Sequence, residues 1–156
     1  MTLDALNHLP QPELYATLLQ CCGSHVWVEK MIADFPMMDK ATLLNAASRH
    51  WLACTPADGL EAFSHHPRIG DRPDLHKEQA GVVNASTDVL ADLATGNQIY
   101  AERFGYIFIV CATGKSASEM LSLLNARINN TPSAEIKIAM AEQGKITQLR
   151  LEKLLS

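Results

Sequence analysis

Gly105-Tyr-Ile-Phe-Ile-Val-Cys-Ala112 is the one run in this 156-residue chain rich in β-branched and aromatic side chains, and its reading decides the fold class. A lone short strand with no second run to pair with is marginal, so the segment reads as extended backbone or as a buried turn of helix. Elsewhere the apolar residues recur at helical spacing, and the alternation of half-buried strands is scarce. The sequence therefore predicts an all-α fold, a single-domain helical bundle of about seven to eight helices spanning residues 1–156.

Downstream of the run, Ser116-x-x-Glu119 is a capping box for a helix to about Asn129. Thr131-Pro132 then opens a last helix to about Leu155, which at ~1.5 Å per residue is long enough to cross a domain. Upstream, Ser86-Thr87-Asp88 caps a helix reaching Arg103, with Val89, Leu90, Leu93 and Tyr100 inward and Gly96 as a weak point. Thr55-Pro56-Ala57-Asp58 starts a helix that runs to about Ser64. Asp39 opens another, with Leu43, Ala47 and Trp51 at four-residue spacing, and Ser24 caps one in which Trp27, Met31 and Ile32 share a face until Pro36 stops it. The first predicted helix covers residues 11–22, carries Leu14, Leu18, Leu19 and Cys22 on one face and ends at Gly23. No linker, repeat or low-complexity stretch marks a domain boundary.

Hydrophobic residues make up 47% and charged residues 19%, as in folded globular domains and unlike disordered chains. A net charge of -4 with no run of Lys or Arg argues against a nucleic-acid partner and against anionic membrane surfaces. The most apolar charge-free stretch, Phe104 to Thr113, is about half the ~20 residues a spanning helix requires. The first residues, MTLDALNHLPQPEL, carry an acid and two prolines where a secretory signal needs a basic start and an apolar run, so a cytoplasmic location is expected. Cys21, Cys22, Cys54 and Cys111 lack zinc-site spacing and are expected to be free thiols packed as small hydrophobes.

Residues 65–77, HHPRIGDRPDLHK, break the helical periodicity with two prolines and a glycine and concentrate ionisable groups in one loop. His66 precedes Pro67, which pushes its backbone into an extended conformation and fixes where an imidazole able to exchange protons near neutral pH will point. Glu78 follows closely enough to share a cavity with His66, the pairing that general acid–base chemistry uses. Arg150 flanks the apolar face of the last helix, where it either directs its guanidinium inward or answers the helix C-terminus. His65, His66, Asp71, Asp74 and His76 offer nitrogen and oxygen ligands for a divalent ion, but their spacing matches no standard zinc arrangement, and no metal is expected. Gly114-Lys115-Ser116 is not a phosphate loop, because the first glycine of that motif would fall on Ile109.

Taken together, HHP at 65–67, EQAG at 78–81, N-x-x-Y-x-x-R-F-G-Y-x-F-I-V-C-A-T-G-K-S at 97–116 and K-I-T-x-L-R-L at 145–151 resemble the OHCU decarboxylase family. The resemblance covers nearly the whole chain. It implies a cofactor-free, usually dimeric helical enzyme that converts 2-oxo-4-hydroxy-4-carboxy-5-ureidoimidazoline to (S)-allantoin and CO2 in urate degradation. Carried over by position, it implies His66, Glu78 and Arg150 as catalytic residues, with Pro67, Gln79 and the main chain of Phe108, Ile109, Val110, Cys111 and Ala112 as substrate contacts. Leu75 stands where many members have a Ser, and the usual spacer between the EQ and AG pairs is missing. The residues alone leave two other readings, a metal-dependent hydrolase built on the 65–76 His/Asp loop and a non-enzymatic helical interaction module.

Overall fold

The computed structural model describes residues 1–68 and 85–156, which carry eight α-helices and no β-sheet. They are α1 (Leu3–Asn7), α2 (Gln11–Cys21), α3 (His25–Ala33), α4 (Lys40–Leu52), α5 (Pro56–Ser64), α6 (Thr87–Phe104), α7 (Ala117–Arg127) and α8 (Pro132–Leu154). The all-α expectation holds, and seven of the eight starts lie where the sequence places them. The addition is α1, whose five residues are too few for a periodic apolar pattern, although Thr2 caps it by accepting the Ala5 N–H.

The caps form as their chemistry predicts. Ser24 accepts the Trp27 N–H, Asp39 accepts the Thr42 N–H at 2.7 Å, and Thr55 and Asp58 satisfy each other's N–H at the head of α5. Ser116 and Glu119 make both halves of the capping box on α7.

The chain divides into two compact units, Met1–Ala62 with Gln143–Ser156, and Phe63–Glu142. In the first, α3 packs between α2 and α4. Trp27 is fully buried there and donates its indole N–H to the Ala47 carbonyl at 3.1 Å. The second half of α8 lies against α4, so that a Cβ on Gly144 would stand 3.2 Å from the Trp51 ring, and Gln148 donates to the Leu44 carbonyl at 2.9 Å. Asn7 exchanges two hydrogen bonds of 2.8 Å with the main chain of Met37, which ties α1 to the turn before α4. Cys21 and Cys22 are buried, and burial pushes the Cys22 thiol up to about 12, where it holds its proton. Cys54 is only half-buried, against expectation, because it follows the C-cap of α4.

In the second unit α6 packs on α7 around Leu93, Tyr100, Phe108, Val110, Met120 and Leu124. Leu90, expected inward, is 38% exposed; it sits in the first turn of α6, and burial begins one turn later at Leu93. Gly96 is the point of closest approach, since a Cβ there would lie 2.5 Å from Leu124 Cδ2. A weak position for the isolated helix is thus what lets the two helices meet. Gly96→Val should overpack this contact and cost about 2 kcal/mol, a fall of roughly 4–8 °C in Tm measured by thermal unfolding. An unchanged Tm would mean that Leu124 has room to move.

Candidate active site

Residues 105–112 form neither helix nor strand, which excludes the helical-turn alternative. Gly105 ends α6 in the left-handed conformation (φ 82°), which glycine adopts without strain, and turns the chain back over the core. Phe108 to Ala112 are all buried. Main chain without secondary structure in a core needs other partners for its polar groups, and charged side chains supply them. Arg127 Nη1 donates to the Ile109 carbonyl at 2.7 Å, Glu142 Oε1 accepts the Cys111 N–H at 3.1 Å, and Lys115 Nζ donates to the Cys111 carbonyl at 2.7 Å.

Arg127 is held in turn. Its Nε donates to Glu135 Oε1 at 2.7 Å, and Nη2 lies 2.6 Å from the same oxygen at an angle that makes an ion pair rather than a hydrogen bond. Tyr100 donates its hydroxyl to Glu135 Oε1 at 2.5 Å, and Asn130 Nδ2 donates to Oε2 at 3.0 Å. The guanidinium stacks over Phe108, 4.5 Å from the ring centre. Burial, reinforced by the hydrogen bond to Glu135, pushes the Tyr100 phenol far up, so it stays a donor. Sequence reading missed this buried network, whose members come from three different helices and the segments between them.

His66 falls in the same unit. Its N–H donates to the Phe63 carbonyl at 3.1 Å, which continues the last turn of α5, and its side chain is half-buried next to Pro67. Phe63 is fully buried and packs on Tyr106 with ring centres 5.3 Å apart. Tyr106 joins Tyr100, Phe104 and Phe108 in one aromatic cluster, and its buried hydroxyl has no hydrogen-bond partner among the described residues. The backbone at His66 and the 106–112 segment thus rest on a common support. His65 is exposed.

Arg150 lies in the first unit, where its Nη1 donates to the Gln20 carbonyl at 3.3 Å, in the last turn of α2. Glu78, Gln79 and Leu75 lie outside the described residues, as do Asp71, Asp74 and His76 of the metal reading. Among the described residues, no cluster of three or more His, Cys, Asp or Glu could hold a metal ion, and no helix is long and apolar enough to cross a membrane.

The profile of a family described as OHCU decarboxylase matches residues 7–152, across both units. The 2-oxo-4-hydroxy-4-carboxy-5-ureidoimidazoline decarboxylase of Amia calva is 36% identical over 168 aligned positions, covering 98% of this chain and 92% of that protein. The uric acid degradation bifunctional protein TTL of Arabidopsis thaliana is 35% identical over 147 positions, but this chain spans only 45% of its length. A crystal structure of OHCU decarboxylase in the presence of (S)-allantoin superposes with a TM-score of 0.81 at 38% identity, covering 88% of this chain and 95% of that one.

Proposed function

Because the chain belongs to the OHCU decarboxylase family, we propose that it converts 2-oxo-4-hydroxy-4-carboxy-5-ureidoimidazoline to (S)-allantoin and CO2 in urate degradation, without metal or cofactor. The observation that carries this reading is the match over nearly full length to a decarboxylase of about the same size, 98% of one chain against 92% of the other. Residues 1–156 act as one catalytic domain, since the matched region draws on both units.

Breaking the bond to the carboxylate leaves an electron pair on C4, which the adjacent ring C=N bond and, through it, the C2 carbonyl oxygen take up. The barrier falls where donors face the oxygen that takes up this charge, and the main chain of Phe108 to Ala112 and the Arg150 guanidinium are assigned that task. The carbanion must then be protonated from one face. His66 and Glu78 share the two proton movements, one at the substrate's hydroxyl or ring nitrogen and one at carbon. Pro67 and Gln79 line the same ring. For His66 the support is its half-buried position before a proline, with its own N–H fixed by the end of α5. Arg150→Lys keeps the charge, loses the planar fork and should act mainly on substrate binding. The protein acts in the cytoplasm as a homodimer, takes a small-molecule substrate and needs neither nucleic acid nor membrane.

Freshly generated urate-oxidation intermediate decays by itself through achiral proton donors and gives racemic allantoin. Wild-type protein should accelerate the conversion and give one hand, read by circular dichroism of the product, and exhaustive chelation should leave the rate unchanged. Racemic product at the uncatalysed rate would sink the enzyme reading. Activity restored only by adding back Zn²⁺ or Mn²⁺ would favour the metal-dependent hydrolase.

A further inference from the structure

Three charged side chains of the second unit hold successive peptide units of the 109–112 stretch. Arg127 takes the Ile109 carbonyl, Glu142 the Cys111 N–H, and Lys115 the Cys111 carbonyl. The peptide bonds here are trans, so the C=O and N–H of one unit point in opposite directions. Drawing the Ile109 carbonyl to Arg127 turns the Val110 N–H away from that guanidinium. Holding the Cys111 N–H on Glu142 turns the Val110 carbonyl away from that carboxylate, and drawing the Cys111 carbonyl to Lys115 turns the Ala112 N–H away from the ammonium. The Cys111 N–H is itself occupied, so donors toward a ligand come from its neighbours.

A helix or sheet would fix these directions through its own hydrogen-bond ladder, and this stretch has none. Desolvating charged groups is costly where apolar packing would hold the chain as well, and two of the three anchors, Arg127 and Glu142, are buried. Arg127 is also clamped by Glu135 and by the Phe108 ring, so the carbonyl it takes has one place to go.

The structure assigns Arg127, Glu142 and Lys115 as positioning residues that aim main-chain groups of Val110 and Ala112 at the substrate ring. This rests on the decarboxylase reading. None of the three needs to touch substrate, because each acts through a peptide unit.

The test is steady-state kinetics on purified Lys115→Met, Glu142→Gln and Arg127→Lys, with unfolding followed for each and product handedness measured. Donors that face a charge developing only in the transition state, once misaimed, should cost about 10-fold in kcat per folded molecule while KM stays within about 3-fold. The excess of one hand of allantoin should fall, and Lys115→Arg should restore both readouts. A purely structural role predicts otherwise: kcat falls only in proportion to the folded fraction, and handedness is untouched. That outcome, in every variant that folds, overturns the assignment. Lys115 is only half-buried, so Lys115→Met decides the matter if the buried substitutions fail to fold. A wild-type protein with no activity on this substrate condemns the decarboxylase reading instead, and the assignment falls with it.

Discussion

His66→Asn should lower turnover by ~10²-fold or more while the protein unfolds as wild type does, and His65→Asn should stay within a few-fold. Asparagine keeps part of the imidazole's shape and hydrogen bonding but cannot exchange a proton near neutral pH. The two histidines share a loop and a composition and differ in how they are held. His66 is half-buried, precedes Pro67 and donates its N–H to Phe63 at 3.1 Å, and Phe63 is fully buried against Tyr106. His65 is exposed. General acid–base catalysis depends on placement before it depends on acidity, so the half-buried histidine with its main chain fixed is the one expected to work. Glu78→Gln should reduce turnover to a similar degree. If His65→Asn abolished activity and His66→Asn left it near wild type, the roles of the two would be exchanged, even with the family unchanged.

The helical frame was legible because its boundaries are written in local chemistry. Ser24, Asp39, Thr55, Ser86 and Ser116 each announce a helix start, and each caps one. What depends on packing between elements is not legible in this way. Gly96 scores as a fault in α6 when only that helix is considered, and its reason lies on α7, at Leu124. Leu90 has the spacing of an inward residue, and the core simply begins one turn later. The 105–112 run was singled out by composition, but its partners are Arg127, Glu142 and Lys115, long-range or charged groups that no periodicity reveals. His66 was readable from the proline after it. Nothing in the sequence pairs Arg127 with Glu135, because their distance in space depends on how the turn between α7 and α8 closes.

Glu135→Gln, which is nearly isosteric, should cost about 3–5 kcal/mol of stability, out of the roughly 5–15 kcal/mol that a typical domain has. Glu135 is fully buried, and both its oxygens accept: Oε1 from Tyr100 at 2.5 Å and Arg127 at 2.7 Å, Oε2 from Asn130 at 3.0 Å. Glutamine has one acceptor oxygen and an amide that donates, so one set of donors must face another donor. Arg127, only 7% exposed, is also left with a charge that nothing balances. Urea unfolding should show a lower midpoint with an unchanged slope, since the exposed surface on unfolding is the same. The sign of the effect should reverse in an Arg127→Met background. There Glu135 is the unbalanced buried charge, and removing it should be neutral or stabilising. Equal costs in the two backgrounds would show that the pair is not coupled, and the network holding the Ile109 carbonyl would then be a set of separate contacts rather than one unit.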